Sequence, residues 1–248
     1  MPIDVVTATG LLTAVDDAVT LRAPTVFVGL YASLFRSMAR DETYADLVCR
    51  SVTYPDGHGV VTELQKRGVH EAERVATTDT VHPLARLAAQ RQWRVGLVGA
   101  APGVALRAAG ALADSAPGID VVMVRDGYSG IPDAADLEYY QLDVLLVGLD
   151  AAQQEAWAHD VAVHSGVPAV LTCGGLFDFL AGDRRRAPRW IQRAGLEWAF
   201  RVLLEPRRLC GRYVLGNSYF LRRARADRCE TAALDIRTAW AAGSRRAA

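Results

Sequence analysis

Arginine dominates the positively charged chemistry of this sequence, and it is crowded towards the end. Arg184, Arg185 and Arg186 form a run, and Arg201, Arg207, Arg208 and Arg212 follow within a stretch whose only acids are Glu197 and Glu205. A planar guanidinium fork binds phosphate in two places at once, so such a group suits an anionic ligand or an anionic surface. A solvated basic face is the blander alternative, and charge runs are usually that. A second candidate is the turn Gly99-Ala100-Ala101-Pro102-Gly103 between a strand pattern and a helix pattern. Glycine lets a backbone approach a diphosphate, and a helix start offers free N–H groups. The turn is neither G-x-G-x-x-G nor G-x-x-x-x-G-K-[ST]. A nicotinamide-dependent oxidoreductase is therefore disfavoured, and a P-loop kinase or ATPase is excluded. Asp56-Gly57 reads locally as a turn.

Other chemistry finds little support. His58, His70, His82, His159 and His164 are scattered, and His159 and His164 miss the i, i+4 spacing of a helical metal pair. Cys49, Cys173, Cys210 and Cys229 form no C-x-x-C pair and fit no zinc pattern, so reduced thiols are expected. No D-x-D triplet is present to hold a metal on a diphosphate, so neither metal nor cofactor is expected.

The elements that must position these residues alternate. Strand patterns occur at Thr25 to Tyr31, Ser51 to Tyr54, Arg94 to Gly99, Ile119 to Arg125, Asp143 to Leu149 and Val167 to Cys173. Helix patterns lie between them, at 32–50, 60–67, 77–90, 102–115, 134–141 and 151–164. The strands are apolar throughout, which marks a sheet covered on both faces. The expected fold is α/β and Rossmann-like, with a mostly parallel sheet. Residues 1–195 are expected as the core. Residues 196–248 are expected as a basic, helical C-terminal appendage, with an amphipathic pattern from Arg189 to Leu204 broken near Gly195 and restarted at Pro206. In such sheets ligands bind at the carboxyl ends of the strands, where Asp56-Gly57, Gly99 to Gly103, Asp126 to Tyr128, Gly148 to Glu155 and Gly174-Gly175 fall.

The chain has 248 residues, 51% hydrophobic, with a mean hydropathy of +0.09 and a formal net charge of zero. One sizeable core is expected, and no global charge argues for nucleic acid. No signal peptide is read in Met1 to Thr20, and no run reaches the ~20 apolar residues of a membrane span. A cytoplasmic protein is expected, at most peripheral on a membrane.

Several motifs carry a resemblance. G-G-x-F-D-F-L-A-G from Gly174, then R-A-P-x-W, G-L-E-W and E-P-x-R-L-x-x-R-Y to Tyr213, are similar to the bacterial WecG/TagA/CpsF glycosyltransferases. Asp56-Gly57, Glu73-Arg74-Val75 with Asp79, and Gln154-Glu155-x-Trp157 also match. The resemblance implies an inverting, metal-independent transfer of a sugar, most often N-acetylmannosamine, from a UDP-sugar. The implied acceptor is a sugar on undecaprenyl diphosphate, in cell-surface polysaccharide or teichoic acid synthesis at the inner membrane face. It implies that Asp56 is the catalytic base and that Arg74 lies near the donor. Gln154 would contact the nucleotide or sugar, with Tyr31, Gly99, Gly103 and Gly175 completing the donor site. Arg201 and Arg208 would bind the diphosphate, with Arg212 as substitute for a basic residue usual at Gly211. The appendage would meet the membrane, and a homo-oligomer is left open.

The chain departs from the pattern where the family has a threonine and an asparagine after the first strand, since Leu30 and Tyr31 stand there. Asp150 and Ala152 replace a glycine and a proline. These departures define the rival reading, a nucleotide-binding relative with an altered donor or lost activity.

Overall fold

A computed structural model describes residues 3–150, 153–193 and 195–229. Six strands form one all-parallel sheet in the order β2-β1-β6-β5-β3-β4. The strands are β1 (Thr25–Leu30), β2 (Val52–Pro55), β3 (Arg94–Gly99), β4 (Asp120–Arg125), β5 (Val144–Gly148) and β6 (Ala169–Thr172). The four inner strands β1, β3, β5 and β6 are buried almost throughout, because helices cover both faces. β4 is an outer strand with both ends exposed.

One face packs against α1 (Ala8–Thr20), α5 (Thr77–Arg91), α6 (Val104–Ser115) and α9 (Leu176–Leu180), through Leu11, Val15, Leu84, Leu112 and Phe177. The other face takes α2 (Ala32–Met38), α3 (Glu42–Arg50), α4 (His58–Lys66) and α7 (Ala134–Tyr140). It also takes α8 (Gln153–Trp157), which continues as a π-helical turn over Ala158–Ala162. The expected helix 32–50 is two helices, separated by a turn that Asp41 ends by capping α3 through Tyr44 N–H. The helix α1 was absent from the sequence reading. Thr7 caps it by accepting from Gly10 N–H, and Leu11, Ala14, Val15 and Ala18 form its buried stripe.

The last third comprises α10 (Arg189–Arg193), α11 (Glu197–Leu204) and α12 (Pro206–Cys229). Gly195, at φ +71°, lies between α10 and α11, and Pro206 opens α12. Helix α12 packs closely on α2. A Cβ on Gly216 would lie 2.3 Å from the Ser33 Cβ, so only a glycine permits this crossing. Phe220 is buried against Phe35, with ring centroids 5.0 Å apart. The described part of the segment expected as an appendage thus shares the apolar layer that contains Val26, Val28 and Leu30 of β1. Residues 230–248 of that segment lie outside the described residues. Among the described residues no helix is long and apolar enough to cross a membrane.

Candidate active site

The carboxyl ends of β1 and β2 set the first part of the site. Beyond β2 the chain turns at Asp56-Gly57, and the N–H groups of both residues donate to the carbonyl of Leu30, at 3.0 and 2.9 Å. This turn is therefore fastened to the end of β1. A Cβ on Gly57 would approach the Tyr31 Cα to 3.0 Å, so the glycine is what lets the two strand ends close up. The Leu30 side chain is fully buried, whereas Tyr31 is partly exposed.

Arg74, in the loop before α5, donates from Nε to the Asp56 main-chain carbonyl at 3.0 Å. Its Nη2 lies 2.8 Å from Glu197 Oε2. Glu197 opens α11 and is 7% exposed. Its other oxygen, Oε1, is 3.2 Å from Arg201 Nη2, one turn further along α11, and 3.9 Å from Arg186 Nε. Arg186 makes a two-pronged contact with Asp79 in the first turn of α5, at 2.5 and 2.6 Å. The Arg201 guanidinium also lies over the Phe179 ring of α9, 5.1 Å from its centroid. Three arginines from three separate segments thus meet around one carboxylate beside Asp56.

Electrostatics distinguish the carboxyl groups at this rim. Burial pushes the Asp56 carboxyl above its ordinary value and Glu197 and Asp79 add to that, while Arg74 and Arg201 pull the other way. For Asp79, burial is outweighed by the hydrogen bonds and charge of Arg186, which hold it low. Asp126, beyond β4, is partly exposed and held low by the N–H groups of Tyr128 and Ser129, at 2.8 and 2.7 Å. A proton acceptor needs some basicity, so of these rim carboxylates Asp56 is the one suited to the task. Burial opposes the charge of Arg201, but Tyr213, Glu197 and Asp56 keep it firmly protonated. His58, next after the Asp56 turn, is covered by Gly195, where an added Cβ would meet the ring at 2.6 Å. Burial and the Arg74 charge both lower its pKa, so this ring favours its neutral form.

The glycine turns beyond β3, β5 and β6 continue the rim. Gly99, at φ +131°, lies so close to β5 that a Cβ would stand 2.3 Å from the Gly148 carbonyl oxygen. Ala100 N–H donates to that same carbonyl at 3.0 Å. Gly103, at φ +79°, caps α6, and an added Cβ would meet only Arg107 Nη1, at 3.6 Å. Gly175 precedes α9, with Arg184 Nη1 3.2 Å from where its Cβ would be. Gln154 is buried. Its amide oxygen accepts from Gly174 N–H at 3.1 Å and its amide nitrogen donates to Glu155 at 2.8 Å. That makes it a strut between the β5 and β6 ends.

The structure therefore brings Asp56, Arg74 and Arg201 into one cluster. Tyr31 stands at the same edge, and Gly99, Gly103, Gln154 and Gly175 lie along the rim. Arg208 and Arg212 fall on α12, with side chains outside the described residues, as are Ala151 and Ala152. Sequence reasoning missed Arg186 as a site residue and gave Glu197 no role. Arg186 entered only as one member of the basic run Arg184–Arg186, and its partner Asp79 is distant in sequence.

Comparison with known proteins agrees with the motifs. The model of the "Glycosyl transferase WecG/TagA/CpsF family" matches residues 1–233. The chain is 29% identical over 172 residues to an N-acetylglucosaminyldiphosphoundecaprenol N-acetyl-beta-D-mannosaminyltransferase of Bacillus subtilis strain 168. That match takes in 67% of this chain and 66% of the relative's length, just under two thirds. It is 30% identical over 176 residues to the protein of the same name from Bacillus spizizenii, covering 70% of this chain and 68% of the relative.

Proposed function

We propose a function for a chain that belongs to the WecG/TagA/CpsF family of glycosyl transferases: it moves N-acetylmannosamine from a UDP-sugar to N-acetylglucosamine carried on undecaprenyl diphosphate. The observation that carries this reading is the basic Asp56 carboxyl standing beside the cluster of Arg74, Arg186 and Arg201. A sugar hydroxyl is a poor nucleophile until its proton is removed. Asp56 accepts that proton as the hydroxyl oxygen bonds to the anomeric carbon from the face opposite the diphosphate. The bond from the anomeric carbon to the diphosphate oxygen breaks, and its electron pair leaves with UDP. Single displacement inverts the anomeric centre. Fixed guanidinium groups meet the charge that develops on UDP, so no divalent ion is required.

The acceptor is a lipid, and the surface near the site fits that. Trp190, Leu203, Leu204, Leu215 and Leu221 are exposed among Arg207, Arg222 and Arg225. Such a face suits an anionic membrane surface on the cytoplasmic side.

The test is direct. The full chain is incubated with UDP-N-acetylmannosamine and a lipid-linked N-acetylglucosamine acceptor, and the disaccharide and free UDP are measured. Formation of both in equal amounts, with the opposite anomeric configuration to the donor, is expected. UDP binding without product would favour the second reading, a relative with altered donor or lost activity. That reading draws on Leu30 and Tyr31, where the family has polar groups, and on Asp150 beside the expected diphosphate.

A further inference from the structure

Glu197 and Asp79 are acids of the arginine cluster that no step of the proposed reaction uses, and of the two Glu197 lies near all three arginines. It is a nearly buried carboxylate that accepts a hydrogen bond from Arg201 on α11, forms an ion pair at 2.8 Å with Arg74 before α5, and lies 3.9 Å from Arg186 after α9. Glu197 also joins the C-terminal segment to the sheet rim, because Arg74 simultaneously holds the Asp56 main chain. Three guanidinium groups at these distances would repel one another without a counter-charge. With Glu197 and Asp79 present, the set of three cations retains a net positive charge for a ligand. The cluster also has donor capacity to spare. Arg186 Nε and Arg201 Nε are both enclosed without an acceptor among the described residues.

We propose that Glu197 is a positioning residue for the transfer, gathering Arg74, Arg186 and Arg201 into one phosphate-ready set beside Asp56. This rests on the transferase reading above and adds the device that arranges its arginines. Glu197 touches neither nucleophile nor leaving group. It acts through the arginines by geometry and on Asp56 by charge. The groups facing Asp56 are Tyr54 on β2, Arg74, Asp79 on α5, and Glu197 and Arg201 on α11, with His58 beside Arg74. Glu197 is among those that raise the Asp56 carboxyl, so removing its charge must make Asp56 less basic.

The experiment compares the full wild-type chain with Glu197→Gln and Glu197→Asp, using UDP binding by calorimetry and the pH profile of kcat/KM. Glu197→Gln adds net positive charge to the cluster but releases the arginines. It should bind UDP at least as tightly as wild type and turn over roughly 10-fold or more slowly. Its acid limb should move to lower pH. Glu197→Asp keeps the charge with a shorter reach, so it should restore the limb and recover part of the rate. Turnover of Glu197→Gln within twofold of wild type overturns the proposal. So does slow turnover with weakened UDP binding and an unmoved limb, which is what loss of packing alone would produce. If Glu197→Gln does not fold, Glu197→Asp decides: reduced turnover with retained UDP binding supports the role, and weakened UDP binding overturns it. A wild-type chain that binds no UDP overturns the transferase reading and this inference with it, whereas an active wild type with indifferent variants overturns this inference alone.

Discussion

Arg74 grips Asp56 by its main-chain carbonyl, at 3.0 Å, and turns its other donor to Glu197. The guanidinium thus fixes where the Asp56 backbone lies without tying up its carboxylate in a two-pronged ion pair. Burial can then keep that carboxylate basic.

Asp56→Asn keeps the shape of the turn but cannot accept a proton. It should fold, bind UDP about as well as wild type, and lose roughly 10²–10⁴-fold in turnover. Initial rates with a lipid-linked acceptor, alongside UDP calorimetry, check this. A folded variant with near wild-type rates would remove Asp56 from the reaction.

The raised Asp56 pKa has two consequences in pH. With Asp56 as the proposed proton acceptor, turnover would need its ionised form, so the acid limb of kcat/KM should lie above the ordinary carboxyl value of 3.8, and it should vanish in Asp56→Asn. For stability the sign is reversed from that of an ion-paired carboxylate. The folded state holds this proton more tightly than the unfolded chain does. The contribution of Asp56 is therefore present below 3.8 and is lost as pH rises through the folded value. Asp56→Asn should consequently melt at or above the wild-type temperature at pH 7, with the difference shrinking in acid.

The glycine rim predicts an ordering of stability losses. Gly99→Ala meets both a backbone conformation that L-residues rarely adopt and the Gly148 carbonyl at 2.3 Å. It should cost about 3 kcal/mol or more in urea unfolding. Gly103→Ala is strained only by its positive φ, with nothing closer than Arg107 Nη1 at 3.6 Å, and should cost about 1 kcal/mol. Equal losses would mean that the β3–β5 approach is looser than described.

Chelation is a further check. If, as proposed, arginines meet the leaving diphosphate, transfer should survive EDTA at an unchanged rate. Complete loss restored by Mg²⁺ or Mn²⁺ would rule out the arginine-based account.

Phe220→Ala tests whether the C-terminal helix belongs to the core. Loss of a buried phenylalanine from the α2–α12 contact should cost about 3 kcal/mol. Ending the chain at Gly195 should also lower the melting temperature and abolish turnover, since it removes Glu197 and Arg201. A chain so shortened that melted as wild type would show a separable appendage.

What could be read from the sequence was what depends on neighbours in sequence. The continuous apolar run of β3 and the turn residues after each strand are local signals, and Asp56 was found by the motif around it. The helix α1 was missed because alanines at 14 and 18 give a weak stripe, although Thr7 and Leu11 were there to be noticed. The arginine cluster was half visible. Arg74 and Arg201 came from motifs, but the pairing of Arg186 with Asp79 spans 107 positions and exists only after the sheet is assembled. Gly216 gave no sign of its contact with Ser33 for the same reason.

The two N–H groups that fasten the Asp56 turn end on the carbonyl of Leu30, not on a side chain. The side-chain identity of the partly exposed Tyr31 is therefore uncoupled from where the Asp56 turn stands, whereas the Leu30 side chain is buried in the core. Substitutions at Tyr31 can alter the rim while Asp56 keeps its place. That separation leaves the rim at Tyr31 free to vary without moving Asp56, and it marks that position as the first place to introduce diversity when redesigning the enzyme.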